Sequence, residues 1–417
     1  MVPNQYLPSH LGEIPSDWER VRFSDVMKVR QGLQIAISDR LKEPTETAKE
    51  YITIQSINKI EQAREYVEAP SGRVICTKED VLMTRTGNTG IVVTDVEGVF
   101  HNNFFLMDFQ RGRIDRKFLV NYLRTNRVQH LILTKAGAST IPDLNHKDFY
   151  SIEFPLPPLP EQRKIAKILS TWDKAITTTE KLIETSKQQK KALMQQLLTG
   201  KKRLVNPETG KVFEGGWTYK TINEVATRIQ KKSDGEAHPI LTISSLSGFV
   251  TQEDRYSRYM AGESVKNYIL LKRGEFAYNK GNSKTYQFGC IFDLESFDTG
   301  LVPHVYVCFK LNTGLNHRYF KYLFEADYLK PQLGALVNTG VRNNGLLNIK
   351  PTEFMNTKVP VPCFGEQERI ADVLHASSEN LKILNAKLAH LKQEKKALMQ
   401  QLLTGKRRVK VDEEVAA

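Results

Sequence analysis

Residues 190–201 and residues 395–406 both read KKALMQQLLTGK, an identity of twelve residues repeated 205 positions further along. Chance does not produce a match of that length, so the chain is first of all a duplication, and its fold must be one unit used twice. The same register holds upstream. Glu161-Gln162 followed by Ile165-Ala166 recurs as Glu366-Gln367 followed by Ile370-Ala371, and Phe149, Pro155 and Pro157 align with Phe354, Pro360 and Pro362. Each copy has a variable part and then a constant part. The division is residues 1–155, 156–205, 206–360 and 361–410, with a tail at 411–417.

The constant parts carry a heptad seam. Ile165, Leu169, Trp172, Ile176, Thr179, Ile183, Ser186, Lys190, Leu193 and Leu197 follow steps of four and three. The second copy repeats them as Ile370, Leu374, Ser377, Leu381, Leu384, Leu388, Leu391, Lys395, Leu398 and Leu402. Such a pattern predicts two long helices packed side by side, each stopping near Gly200 or Gly405. Lys190 and Lys395 interrupt the seam at equivalent places, where a polar residue fixes register or serves a docking partner.

A helix over residues 161–198 would be ~57 Å long. The second variable part starts where the first helix ends and stops where the second begins, and compact domains have neighbouring termini. Only an antiparallel pair brings those two points together. The expected architecture is α+β: two globular α/β domains joined by a long two-helix antiparallel coiled coil, with pseudo-two-fold internal symmetry. Within the variable parts, runs at residues 51–54, 90–94, 267–271 and 304–309 read as strands, and 116–134 and 318–334 read as helical.

Charge indicates the partner class. Sixty Lys and Arg stand against 47 Asp and Glu, a net charge of +13 in a chain that is 40% hydrophobic. A folded basic protein attracts polyanions, nucleic acid foremost. Two unlike basic heads in inverted orientation suit duplex DNA with two unlike half-sites, spaced by the coiled coil. No apolar run approaches a membrane span or a secretory segment, so the expectation is a cytoplasmic protein with no membrane partner. Cys76, Cys290, Cys308 and Cys363 form no C-x-x-C pair and read as buried, reduced thiols.

Catalytic motifs are missing. Pro157-Pro158 is flanked by Leu156 and Leu159, not by the residues of a base-flipping N/D-P-P-Y/F loop. Gly200, Gly210 and Gly405 do not lead into a G-K-S/T phosphate cradle, and Pro142-Asp143 reads as turn chemistry. The nine histidines show no ligand spacing. The chain reads as non-catalytic, with no cofactor or metal of its own. Two rivals remain open: a stand-alone coiled-coil adaptor with non-specific DNA binding, and a methyltransferase or nuclease acting alone.

For DNA contact the best candidates are two glycine-flanked loops. The first holds Arg85, Thr86 and Asn88, and the second Lys280, Asn282 and Lys284. Arg suits guanine and Asn suits adenine, although Asn and Gly also build ordinary hairpin turns. A second pair of candidates precedes each Asp/Glu-Phe landmark, Ser139 and Thr140 in one copy and Arg342, Asn343 and Asn344 in the other. The basic runs Lys201-Lys202-Arg203 and Lys406-Arg407-Arg408 suit either DNA phosphates or the helix macrodipole.

The proline runs at residues 155–160 and 360–362, each leading into Glu-Gln, the I-A-x-x-L starts at Ile165 and Ile370 and the repeated LMQQLLTGK ends resemble the specificity subunits of type I restriction-modification systems. The resemblance covers essentially the whole chain, with one departure, Gly365 where the first copy has Pro160. It implies that the variable parts are target recognition domains for double-stranded DNA. It also implies that the constant helices dock two modification methyltransferase subunits, joined by restriction/translocase subunits. S-adenosylmethionine, ATP and Mg would then sit on those partners.

Overall fold

A computed structural model describes residues 6–9, 12–58, 63–137, 141–256, 262–281, 283–337 and 347–411. They belong to two compact units, one of Met1–Glu180 with Lys387–Ala417 and one of Lys181–Ala386. Both divisions fall inside long helices, Leu159–Leu197 and Phe364–Leu402.

The first unit is built on an antiparallel sheet in the order Met27–Gln31, Phe104–Phe109, Val81–Thr84, Val92–Thr94. Strand alternation in FFLMDF sends Phe105, Met107 and Phe109 into one core, and Phe104 and Leu106 into another on the opposite face. Burial on both faces explains why this segment reads as a nearly unbroken apolar run. The first core also takes in Phe118 and Leu119 of helix Arg116–Leu123, and Val128 and Ile132 of helix Asn126–Ala136. It is closed by Ile165 and Leu169 from one long helix and Leu402 and Leu403 from the other. Truncating a fully buried ring such as Phe105 to Ala costs about 3–5 kcal/mol. Beyond the second core lies a smaller sheet in the order Tyr66–Val67, Lys49–Ile52, Gly98–Phe100, Ile75–Cys76.

The second unit repeats the main sheet, strand for strand, as Ala226–Ile229, Val307–Leu311, Phe276–Asn279, Cys290–Asp293. Phe276, Tyr278, Val307 and Phe309 face one core, and Ala277, Cys290 and Cys308 the other. Each unit adds a two-stranded ribbon leading into a long helix, Glu19–Arg22 with Glu153–Leu156 and Thr218–Thr221 with Lys358–Val361.

The helical stretches expected at 116–134 and 318–334 are each broken in two, and a local cause is visible in both. Thr125 ends one helix and caps the next by accepting from the Val128 amide. Asp327 at φ +54° lets the amides of Tyr328 and Asp327 bond the carbonyls of Leu323 and Phe324, a Schellman ending to helix His317–Glu325.

Within each unit the segments of the two long helices run antiparallel. In the first, Lys395 meets Asp173 at 2.6 Å and Lys392 meets Glu180 at 2.8 Å, so one helix rises as the other falls. In the second, Met194, Leu197 and Leu198 near one helix end share a core with Ile370, Ala371 and Leu374 near the other's start. Leu169, Ile183 and Leu374 of the seam are buried; Trp172, Ile176, Leu193, Leu381, Leu384, Leu388, Leu391 and Leu398 are half-buried, as two helices without a third permit. The Glu-Gln pairs set the helix starts. Gln162 donates to the carbonyls of Arg113 and Pro157 and accepts from the Asp115 amide. Gln367 likewise donates to Pro362 and accepts from Asn316. Only an amide side chain donates and accepts in this way, and Asp115 and Asn316 are themselves helix N-caps.

Candidate nucleic-acid interface

Both loops singled out in the sequence are hairpin connections at the same place in the two main sheets. Residues 85–91 join Val81–Thr84 to Val92–Thr94, and residues 280–289 join Phe276–Asn279 to Cys290–Asp293. Each lies against the chain that follows the second candidate segment of its own unit in sequence. Gly87 donates its amide to the Pro142 carbonyl, Thr89 donates Oγ1 to the same carbonyl at 2.7 Å, and the Leu144 amide bonds the Arg85 carbonyl. In the second unit the Leu347 amide bonds the Lys280 carbonyl. Ser139 and Thr140 lie outside the described residues, as do Asn282, Arg342, Asn343 and Asn344. Pro142 and Leu144 in one unit and Leu347 in the other are fastened to their hairpins.

The loop's own side chains divide their roles. Arg85 packs its guanidinium 5.3 Å from the centroid of the Phe105 ring and donates to both oxygens of Asp143 at 2.9 Å. Thr86 donates to the same carboxylate at 2.5 Å. Burial raises the Asp143 carboxyl, but the bonds from Thr86 and Arg85 outweigh it and hold the group below its ordinary range. Arg85 is thus the anchor of the loop, with Nη2 engaged by both oxygens of Asp143 and Nε buried without a hydrogen-bond partner among the described residues. Asn88 is exposed at the tip, and its carbonyl accepts from Thr84 Oγ1. In the other hairpin Lys284 is exposed and Lys280 half-buried. The sequence reads Pro142-Asp143 as turn chemistry; that Asp143 is the partner of Arg85 and Thr86 appears only in the structure.

The basic runs beyond the helices resolve unevenly. Lys201, Lys202, Lys406 and Arg407 are exposed, whereas Arg203 and Arg408 do something the sequence did not suggest. Arg203 pairs with the fully buried Glu366 through Nε at 2.6 Å and Nη2 at 2.8 Å. Trp217 Nε1 donates to that carboxylate too, at 2.9 Å. Arg408 pairs with Glu161 in the same way, Trp18 Nε1 donating at 3.1 Å, and reaches Asp17 as well. The glutamates are the first residues of the repeated Glu-Gln pairs. Each clasp ties the end of one constant part to the start of the other, so these arginines are structural. The two seam lysines also differ: Lys395 pairs across the helices with Asp173, while Lys190 reaches Glu325 of the globular part at 2.5 Å.

Cys363 is exposed, contrary to the expectation for all four thiols; it directly precedes the second long helix, where no sheet covers it. Cys76, Cys290 and Cys308 are buried, and burial pushes the first two up to about 11 and about 12. Among the described residues no helix is long and apolar enough to cross a membrane, and no group of three or more His, Cys, Asp or Glu could hold a metal ion.

Residues 15–187 match the family model described as the type I restriction modification DNA specificity domain. The type I restriction enzyme MjaVIII specificity subunit of Methanocaldococcus jannaschii is 26% identical over 416 residues, covering 95% of this chain and 94% of that protein. The EcoKI specificity subunit of Escherichia coli is 24% identical over 266 residues, 61% of this chain and 56% of its own. In fold, the S subunit of a type I restriction-modification system from M. genitalium matches with a TM-score of 0.54 at 15% identity, covering 96% of this chain and 99% of that one. A chain from a structure of type I assembly and conformational transition matches at 0.56 and 17%, covering 94% and 99%.

Proposed function

The chain belongs to the type I restriction-modification specificity subunits, and on that premise we propose that each of its units reads one part of a two-part, asymmetric DNA target through the hairpin loop of its main sheet and the segment fastened to it. The observation that carries this reading is the equivalent placement of two chemically different loops, Arg85 to Gly90 and Asn279 to Lys284, on sheets of identical strand order. Same scaffold with unlike tips is what recognition of two unlike half-sites requires. In the first loop Asn88 is the exposed group suited to a base edge, with Arg85 holding the loop in shape. In the second, Lys280 and Lys284 supply cations for phosphates or base edges. Asn282 and the candidates at 139–140 and 342–344 stand as candidates for DNA contact on their sequence alone.

The subunit itself is non-catalytic. It holds two modification methyltransferase subunits, which take S-adenosylmethionine, and restriction/translocase subunits, which take ATP and Mg. This chain binds none of these cofactors and works in the cytoplasm. Exchanging residues 1–155 for those of another specificity subunit, followed by methylome sequencing, tests the reading. One half of the methylated target should change and the other persist; a change in both halves or in neither overturns it. Methyl transfer to DNA by the purified chain alone would overturn the non-catalytic assignment. Loss of DNA affinity on Asn88→Ala and Lys284→Ala, with steep salt dependence, separates recognition from a structural adaptor.

A further inference from the structure

The first unit contains a groove of about 820 Å³ between the start of helix Asn126–Ala136 and the last turns of the second long helix. Six cationic side chains line it, Arg124, Arg127, Lys392, Lys395, Lys396 and Lys406, and no carboxylate is among the residues that form it. Lys392 and Lys395 are paired with Glu180 and Asp173 outside its walls. Lys396 and Lys406 are exposed. Val128, Met399 and Leu403 give the groove apolar walls.

The duplication shows what this place is built to hold. Lys395 and Lys190 are the same residue of the repeated twelve, and Arg124 and Glu325 stand at matching positions after the N-caps Asp115 and Asn316. In the second unit Glu325 puts its carboxylate on Lys190 at 2.5 Å. In the first, the matching residue is an arginine that donates to the Val92 carbonyl. The second copy thus brings a carboxylate from its globular part, whereas the first pairs Lys395 with Asp173 of the facing helix and carries a further cation, Arg124, where Glu325 would stand.

The geometry points to this groove as the docking site for an acidic, amphipathic peptide segment of a partner protein, whose carboxylates meet the cations around Arg124, Lys396 and Lys406. Apolar walls favour such a segment over a DNA backbone, which has cations to meet there but no apolar side chains to bury. The inference rests on the assembly part of the function proposed above and not on base recognition.

Fluorescence anisotropy on the full chain tests it with two labelled peptides of equal charge, one alternating Glu with Leu and the other Glu with Ser, and with a random-sequence DNA duplex. The Glu/Leu peptide should bind more tightly than the Glu/Ser peptide. Arg124→Glu, which restores the arrangement of the second unit, should weaken it by about tenfold. Lys396→Ala, at an exposed position, should weaken it severalfold and keeps the test valid if Arg124→Glu misfolds. Duplex affinity should change by less than about twofold in either variant. Equal binding of the two peptides, or wild-type binding by the variants, overturns the proposal. A parallel loss of duplex affinity also overturns it, by making the groove a phosphate contact. The domain exchange that tests DNA reading is scored independently, so the two claims fail separately.

Discussion

Arg408 and Glu161, 247 positions apart, meet through two parallel bonds of 2.8 Å, Nε to Oε1 and Nη2 to Oε2. The carboxylate is 3% exposed, so removing the arginine strands a buried charge. Arg408→Ala should cost about 3 kcal/mol of stability, read from denaturant unfolding of the full chain. Arg408→Lys should recover little of it, because one ammonium cannot reproduce a fork shared between Glu161 and Asp17.

The same clasp makes an acid prediction. The hydrogen bond from Arg408 holds the Asp17 carboxyl below its ordinary value of 3.8. A depressed folded pKa contributes stability that is present above the unfolded value and lost as pH falls through the folded one. The stability gap between wild type and Arg408→Ala should therefore be smaller at about pH 3 than at neutral pH. A gap that widens on acidification would contradict this.

Gly405 and Gly200 close the two clasps with φ of +71° and +70°. A Cβ at Gly405 would come 2.3 Å from Pro15 Cδ, whereas one at Gly200 would only touch Trp217 at 3.4 Å. Gly200→Ala should cost about 1 kcal/mol for its left-handed backbone. Gly405→Ala should cost at least about 2 kcal/mol, since overpacking is added. Thermal melts of the two variants check the order.

Burial pushes the Asp327 carboxyl up to about 6. A raised folded pKa contributes stability that is complete below the unfolded value and lost as pH rises through the folded one. Asp327→Asn keeps a side chain that tolerates φ +54° and removes the charge. The variant should match wild type near pH 4 and exceed it at pH 7.5, by less than about 1 kcal/mol because the group is half exposed and solvent screens it. Equal stability at both pH values would show that the burial costs nothing.

Much of the architecture is legible because it is written locally and twice. The four-three spacing from Ile165 to Leu197 and from Ile370 to Leu402 matches the buried and half-buried face of each long helix. The hairpin positions of both candidate loops follow from glycines next to β-branched or aromatic runs. The engagement of Arg85 was not legible, because its partner Asp143 lies 58 positions away in a segment with no periodic pattern. Nor were the roles of Arg203 and Arg408, which local chemistry reads as helix-end cations.

The amino-acid sequence alone determined the duplication, the paired long helices, the basic character and the absence of catalytic motifs, since repeats, periodicity and composition need no knowledge of distant contacts. Only the tertiary structure decided which charges are free. Whether a cation meets a carboxylate across hundreds of positions depends on how the chain returns on itself, and that return turned Arg85, Arg203 and Arg408 into fasteners while leaving the groove beside Arg124 without an acid.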